Sequence, residues 1–350
     1  MKRVLVGIII ILTALALGLG TVVVIGWRAL TLPIDPTATE PVLLRVEEGM
    51  SVAGVASALE ANALISSAFW FRNAARVTGA TFATGLYHLR PSESPLALLT
   101  TLATGNVAEV QVTLPEGWRS EEIADRLVPK DAVLDRASFA QAISTSAAYP
   151  ELARRFGLTG SEPLEGFLFP DTYRFAIDGA GQDVVATMVA NFLARTADLA
   201  LTYDTVKLAS IVEREARHPD DRAPIAGVYV NRLALGMGLE ADPTVQYGKA
   251  NREHADCLIA VAEPKSACGL VDWWPDVVIA DYRGVSSPFN TYLHAGLPPT
   301  PIANPGLAAL EAAANPTDHD YLYFVTDSDG RAHFAKTFAE HQANKATHLR

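Results

Sequence analysis

The stretch from Thr205 to Arg217 reads Thr-Val-Lys-Leu-Ala-Ser-Ile-Val-Glu-Arg-Glu-Ala-Arg, which predicts one amphipathic helix that carries two glutamates. Because successive helical residues are rotated by about 100°, Glu213 and Glu215 do not share a face. Glu215 falls inside the apolar arc, beside Leu208 and Ile211. The sequence therefore places one of the two acids against aliphatic side chains.

The position of Glu215 among aliphatic side chains favours a role in general acid catalysis. A carboxyl group among aliphatic side chains loses hydration, which raises its pKa and keeps a proton available near neutral pH, as a general acid requires. Glu215 is therefore the candidate general acid, whereas Glu213 lies on another face, near Arg217. The alternative interpretation is that both glutamates are surface charges paired with Lys207, Arg214 and Arg217.

Neighbouring segments extend the helical pattern. Apolar residues recur at helical spacing over 184–193 and over 225–233. The second of these helices has start and stop signals, since Asp221 can cap it, Pro224 lies in its first turn and Gly236 can end it.

Strands are predicted on both sides of these helices. Near the C-terminus, residues 321–325 and 331–334 flank the turn Asp-Ser-Asp-Gly at 327–330, which predicts a β-hairpin. Short strands are also predicted at 43–46 and 110–114. We therefore expect a mixed α+β fold, mainly helical around the two glutamates.

A short internal repeat lies in the N-terminal half. The triplet Glu-Gly-Met at 48–50 recurs 68 residues later as Glu-Gly-Trp at 116–118, and similar apolar residues follow each copy. Each copy predicts a strand, a glycine turn and a helix with Ser51 or Ser120 as its N-cap. This order resembles that of LysM-like units, which bind glycans that contain N-acetylglucosamine. A generic structural repeat explains the two matches equally well.

The N-terminus carries the longest apolar run. Val4 to Trp27 contains no charged side chain over 24 residues, which as a helix spans roughly 36 Å and exceeds a hydrocarbon core of about 30 Å. Lys2 and Arg3 precede it, so the positive-inside rule predicts a cytoplasmic N-terminus and an extracytoplasmic remainder. The alternative is a signal peptide that is cleaved near Ala-Leu-Ala at 14–16.

Composition excludes several classes of protein. With 350 residues, 49% hydrophobic and 19% charged, the chain is neither a disulfide-stapled miniprotein nor mainly disordered. Its net charge of -11 and its lack of a basic stripe argue against nucleic acid as a partner. We expect no cofactor and no metal, since the sequence has neither a His-Glu-x-x-His unit nor a glycine-rich phosphate loop.

The two cysteines, Cys257 and Cys268, lie close together in sequence. Outside the cytoplasm an oxidising environment favours a disulfide between them. A metal site that adds His254 to the two cysteines is the alternative, although the spacing lacks a Cys-x-x-Cys unit.

Several further motifs occur in a fixed order along the chain. They are Glu165-Gly166, Phe169-Pro-Asp-Thr-Tyr173, Gly227-Val-Tyr-Val-Asn-Arg-Leu233, Gly238-Leu-Glu-Ala-Asp-Pro-Thr-Val-Gln-Tyr-Gly248, Ser287-Pro-Phe-Asn-Thr-Tyr292, Gly296-Leu-Pro-Pro-Thr-Pro-Ile302, Tyr321-Leu-Tyr-Phe-Val325 and His333-Phe334. Together they closely resemble the endolytic murein transglycosylases, a YceG-like family. The similarity runs from about Val42 to Lys345.

The resemblance implies a single-pass protein of the inner (cytoplasmic) membrane, with a LysM-like subdomain and a lysozyme-like catalytic region facing the periplasm. Such an enzyme is a lyase that cuts the MurNAc-GlcNAc bond within peptidoglycan strands, leaves 1,6-anhydro ends and terminates nascent strands. The family's catalytic glutamate is the second of the Glu-x-Glu pair, which falls on Glu215. The resemblance also implies interplay with penicillin-binding proteins and other wall synthases.

The predicted organisation follows from these observations. It comprises a cytoplasmic tail at 1–3, an anchor at 4–27, a linker at 28–41, a LysM-like region at 42–130, a connecting region at 131–164 and a catalytic domain at 165–345. The chain departs from the family pattern in two places. Glu240 stands where a glutamine is usual, and residues 249–286 form a longer segment than expected.

Polar and aromatic residues of the motifs are candidates for holding the sugars. They are Glu213, Asn231, Glu240, Asp242, Thr244, Tyr247, Asn290 and Tyr292. Each also has a purely structural interpretation, such as helix capping, loop bridging or core packing.

Two other functions stay open at this point. One is a muramidase that hydrolyses the same bond with water, with Glu213, Glu240 or Asp242 as its second acid. The other is a membrane-tethered glycan-binding protein without catalytic activity.

Overall fold

The computed structural model describes residues 2–105, 107–127, 136–177, 180–254 and 272–349. Within these ranges the chain folds into two compact units. The first runs to Val110 and includes a short return of the chain after Phe175, and the second contains Gln111–Phe175 and the remainder.

After its N-terminal helix, the first unit contains a strand, two helices, a second strand and a third helix, in that order. Its elements after the N-terminal helix are β1 (Val42–Val46), α2 (Val52–Ala61), α3 (Ala68–Thr78), β2 (Gly85–Leu89) and α4 (Pro95–Thr104). The two strands pair antiparallel, with Leu44 opposite Tyr87. Leu59, Phe71 and Tyr87 are fully buried between the helices and the sheet. The apolar alternation of β1 therefore produces a small core of its own.

Helix α1 (Lys2–Thr31) precedes this core. Its segment Gly7–Thr31 has a mean hydropathy of 2.9 and is long and apolar enough to cross a membrane. Near its end Gly26 meets the ring of Trp70, and a Cβ at that position would lie 2.8 Å from the ring. Glycine thus permits close contact between α1 and α3.

The second unit is mainly helical. Its helices are α5 (Ser120–Leu127), α6 (Arg136–Ile143), α7 (Pro150–Phe156), α8 (Gly181–Arg195), α9 (Tyr203–Glu215), α10 (Arg222–Ala234), α11 (Asp242–Glu253), α12 (Asp281–Gly284), α13 (Leu307–Ala314) and α14 (Phe338–His348). Strands β3 (Glu109–Thr113) and β4 (Thr172–Ala176) pair with each other, as do β5 (Tyr323–Thr326) and β6 (Ala332–Ala335).

A continuous apolar core holds these helices together. Phe167, Phe192 and Ile211 are fully buried, and the rings of Phe167 and Phe192 meet edge to face at 5.2 Å. The centre of α9 is buried in this core, which fixes the helix that carries the two glutamates.

The local predictions agree well with these elements. The mixed α+β class, the helices over 184–193 and 225–233 and the C-terminal hairpin are confirmed. Asp221 does lie at the start of α10, but its carboxylate accepts the backbone N–H of Ala332 at 2.8 Å instead of capping the helix. That aspartate therefore links α10 to the hairpin.

Both copies of the repeat have the predicted strand, glycine turn and helix. Gly49 and Gly117 have φ values of 76° and 73°, which favour glycine. Ser51 caps α2, since its hydroxyl accepts the Gly54 N–H at 3.1 Å. At the second copy Glu122 accepts the Arg119 N–H at 2.9 Å, so a carboxylate satisfies the free donor there. The predicted domain boundary at 130/131 lies outside the described residues.

Candidate active site

Helix α9 places the two glutamates in its last turn. A reciprocal capping box between Thr202 and Thr205 begins the helix, and Glu215 is its last residue. The helix thus ends two residues earlier than predicted, because Ala216 already has an extended backbone. Glu215 is therefore presented where the helix gives way to a loop.

The Glu215 carboxyl group is held by two hydrogen bonds. The Tyr229 hydroxyl donates to its Oε1 at 3.1 Å, and the backbone N–H of Asp242 donates to its carboxylate. Burial raises the pKa of Glu215 to about 7, and the negative charge of Asp242 adds to that increase. These effects outweigh the two hydrogen bonds and the attraction of Arg217. The expected increase in the pKa of Glu215 is confirmed.

Asp242 is held by a pair of tyrosines. The Tyr292 hydroxyl donates to its Oδ1 at 2.7 Å and the Tyr282 hydroxyl to its Oδ2 at 3.5 Å. The two rings stack at 4.2 Å with an interplanar angle of 16°. Both side chains are half-buried, so the pair forms a fixed aromatic surface beside the two carboxyl groups.

The segment around residue 290 fixes this arrangement from behind. Thr244 and Thr291 share a buried hydroxyl contact of 2.8 Å, and the Thr291 hydroxyl accepts the Ala241 N–H at 3.0 Å. Asn290 donates to the carbonyls of Tyr282 and Val285 and accepts the backbone N–H of Tyr292. Thr244 and Asn290 are thus fully engaged with the protein and position the start of α11 and both tyrosines.

Glu213 occupies a different environment. Its side chain is only 7% exposed, its Oε1 lies 3.4 Å from Arg222, and its Oε2 accepts the Gly306 N–H at 2.9 Å. Gly306 is the N-cap of α13, where the helix dipole favours a negative charge. The alternative that both glutamates are surface charges is therefore wrong for Glu213, which is buried and paired.

Glu240 and Asn231 lie on the side of the C-terminal hairpin. The Glu240 side chain is 53% exposed and lies 3.3 Å from Arg232, which is itself buried and donates to the carbonyls of Leu239 and Leu322. Asn231 donates to the carbonyls of His319 and Tyr321. Asn231 thus contacts the segment that leads into the hairpin directly and Glu240 contacts Arg232, which binds the same segment, whereas Asp242 is the candidate next to Glu215.

Tyr247 belongs to a buried ionic cluster. The guanidinium of Arg119, which is fully buried, lies 3.9 Å from the Tyr247 ring and donates to both oxygens of Glu121 at 3.1 Å. Glu165 is buried close by, and its carboxyl accepts the Ser120 N–H and the side-chain amide of Asn304. Burial and the Glu121 charge raise the pKa of Glu165.

The Glu-Gly motif at 165–166 is thus structural. Gly166 has a φ of 90°, and a Cβ there would lie 2.5 Å from Pro301. Its N–H, together with that of Leu168, donates to Asn304, so the segments at 165 and 301 are fixed against each other.

The predicted disulfide between Cys257 and Cys268 lies outside the described residues, and so does the alternative metal site that includes them.

Two residues of the site were not singled out from the sequence. Tyr229 carries a usable signal, because a tyrosine on a buried helix face needs a partner for its hydroxyl. Tyr282 carries none, since it lies in the short helix α12 within the long segment 249–286 and contacts Asp242 across 40 residues of sequence.

Comparison with known proteins agrees with this architecture. The YceG-like family model matches residues 44–347. An endolytic murein transglycosylase from Bacillus subtilis is 31% identical over 343 residues, which cover 92% of this chain and 89% of that protein. A protein of the same name from Streptococcus pneumoniae is 30% identical, and the match covers 91% of this chain but 60% of that protein.

A crystal structure of a yceG-like protein from Listeria monocytogenes superimposes with a TM-score of 0.53 at 28% identity. The match covers 87% of this chain and 99% of that one. From the extent of the family match and the identity to these relatives, the chain belongs to the YceG-like family.

Proposed function

We propose that this protein is an endolytic lytic transglycosylase that cleaves the MurNAc-GlcNAc bond within peptidoglycan strands, with Glu215 as its catalytic residue. The observation that carries the proposal is the Glu215 carboxyl group, whose pKa burial raises to about 7, in a chain whose relatives are named endolytic murein transglycosylases. Glu165 also has a raised pKa, but its carboxyl group is engaged by the Ser120 N–H and the Asn304 amide. A group with this pKa is available both as an acid and as a base at neutral pH.

One such group is sufficient for the reaction. Glu215 donates its proton to the glycosidic oxygen, and the leaving N-acetylglucosamine departs with that proton. The muramic C6 hydroxyl then attacks C1 while the Glu215 carboxylate accepts the hydroxyl proton, which closes the 1,6-anhydro ring and regenerates the acid. The nucleophile belongs to the substrate, so the second catalytic acid of ordinary glycosidases is not needed.

In this scheme the substrate is bound and stabilised by Asp242, Tyr282 and Tyr292. The Asp242 charge keeps Glu215 protonated and faces the positive charge that develops at C1. The stacked tyrosines offer a flat apolar surface to a sugar ring. The other candidates support these groups from positions around them. They are Glu213, Asn231, Glu240, Thr244, Tyr247 and Asn290.

The N-terminal part serves to localise the enzyme. Helix α1 anchors the chain in the inner membrane with the rest of the protein in the periplasm, in line with its apolar segment and the preceding basic residues. The region predicted at 42–130 acts as a LysM-like glycan-binding region, supported for its part in the first unit by the strand-helix-helix-strand order of residues 42–89. This placement brings the enzyme close to penicillin-binding proteins and other wall synthases.

Product analysis tests the reaction. Purified sacculi are incubated with the wild-type protein and with Glu215→Gln, and the released muropeptides are analysed by mass spectrometry. We expect 1,6-anhydro-muramic ends from the wild type and none from the variant. Reducing muramic ends would show a hydrolase instead, and binding of sacculi without fragment release would show a glycan-binding protein.

A further inference from the structure

Three potential metal ligands meet at the C-terminal hairpin, in a part of the molecule that the proposed reaction does not use. Asp327 follows β5, His333 lies in β6 and His348 is the last residue of α14. One ligand atom from each lies within 4.8 Å of the others, and all three residues are half-buried. Residues 21 positions apart are thus brought together by the packing of α14 against the hairpin.

The three side chains contact one another directly. His333 Nε2 lies 2.7 Å from Asp327 Oδ2, and the rings of His333 and His348 stack at 3.5 Å with an interplanar angle of 11°. A metal bound to both imidazoles must lie in both ring planes, so the stack has to open on loading. His348 can tilt because it ends its helix.

The carboxylate is oriented by the hairpin turn. Oδ1 of Asp327 accepts the backbone N–H groups of Asp329 at 3.0 Å and Arg331 at 2.9 Å, which leaves Oδ2 directed at His333. Hydrogen-bonded carboxylates of this kind are typical partners of histidine in metal sites. The turn therefore fixes one ligand independently of any metal.

We infer that Asp327, His333 and His348 form a Zn²⁺ site that fastens α14 to the β5–β6 hairpin. Two imidazoles and one carboxylate suit Zn²⁺ and disfavour Mg²⁺, which prefers oxygen ligands. A water completes the tetrahedral set. Because the ligands come from both elements, binding stabilises the docked position of the helix.

The test uses the full-length chain in detergent, freed of metal with a chelator and titrated with ZnCl2 by isothermal calorimetry. We expect one Zn²⁺ per chain, and a loss of affinity of roughly tenfold or more in His333→Gln and in His348→Gln. Amide hydrogen exchange in α14 should slow on Zn²⁺ addition in the wild type but not in the variants. MgCl2 should produce neither effect.

His254→Gln is the matched control, since it removes the histidine next to the cysteine segment and should leave Zn²⁺ binding unchanged. Co²⁺ loaded into the wild type should show no thiolate-to-metal charge-transfer band. The inference would be overturned by unchanged Zn²⁺ affinity in both His333→Gln and His348→Gln. It would also be overturned by loss of Zn²⁺ binding in His254→Gln together with a thiolate-to-metal band. None of these readouts depends on glycan cleavage.

Discussion

Glu213 and Glu215 are separated by one residue of the same helix, yet their hydrogen-bond and ion-pair partners differ. Glu213 is balanced by Arg222 and by the N-terminus of α13. Glu215 has a neutral hydroxyl, a backbone N–H and a like charge from Asp242. The first arrangement pairs the Glu213 carboxylate with a cation and a backbone N–H, whereas the second raises the pKa of Glu215 to about 7.

This contrast separates a structural from a chemical role. A buried carboxylate that lies beside a cation and a helix N-terminus holds together the elements that carry those groups. A buried carboxyl without full compensation costs stability but is suited to acid–base catalysis. The Glu-x-Glu pair thus combines one residue that links α9 to α13 with Glu215, the residue that we propose as the catalytic acid.

The largest expected effect comes from replacing each glutamate of the pair in turn by glutamine. Glu215→Gln should lower the rate of glycan cleavage by about 10²–10⁴-fold, because the amide cannot donate the proton that the leaving oxygen needs. Its thermal stability should be unchanged or higher at pH 8, since the variant no longer has to ionise or protonate a buried acid. Muropeptide release and calorimetric unfolding measure the two quantities.

Glu213→Gln provides the control, with the opposite outcome. It should lose about 1–3 kcal/mol of stability, because the amide replaces the buried charge that pairs with Arg222, while the folded fraction keeps cleavage within a few-fold of the wild type. If Glu213→Gln abolished cleavage at full stability, the assignment of roles within the pair would be reversed.

The next effect concerns the pH at which Glu215 loses its proton. The free enzyme requires protonated Glu215, so kcat/KM should fall as the pH rises through about 7. Asp242→Asn removes the like charge that raises the pKa of Glu215, so this alkaline limb should move to lower pH. Tyr229→Phe removes a hydrogen bond that lowers that pKa, so the limb should move to higher pH.

The opposite signs make the pair of variants informative. A general loss of structure would depress the rate at every pH without shifting the limb in two directions. Shifts of equal sign, or no shift, would mean that the limb reports another group. Profiles of kcat/KM from pH 5 to pH 9 on a soluble glycan fragment provide the measurement.

Of the two glutamates, only Glu215 has surroundings that could be predicted from the sequence. Helical periodicity and the apolar neighbours of Glu215 were sufficient to predict its burial and its raised pKa. The same periodicity predicted α8 and α10, and the turn at 327–330 with its flanking strands predicted the hairpin, since these elements depend on residues close in sequence.

Other parts of the site depend on contacts that local patterns do not encode. The Gly306 N–H that binds Glu213 is 93 residues away, and Tyr292 reaches Asp242 across 50 residues. Loops of irregular length bring these groups together, and hydrophobic patterning does not determine their path. For the same reason the Asp327, His333 and His348 group was not anticipated: its histidines come from two separate elements.

The smallest effect is expected at Glu240, another acidic residue of this region. Its side chain is half-exposed and directed to Arg232, so Glu240→Gln should change stability by less than about 1 kcal/mol and leave the alkaline limb in place. The φ of 51° at this position is unchanged by the substitution, so backbone strain does not enter. If the limb instead moved to lower pH, as expected for Asp242→Asn, the Glu240 charge would act on Glu215 as well, and the raised pKa would reflect two acids in place of one. Thermal unfolding and the same kcat/KM profiles distinguish these cases.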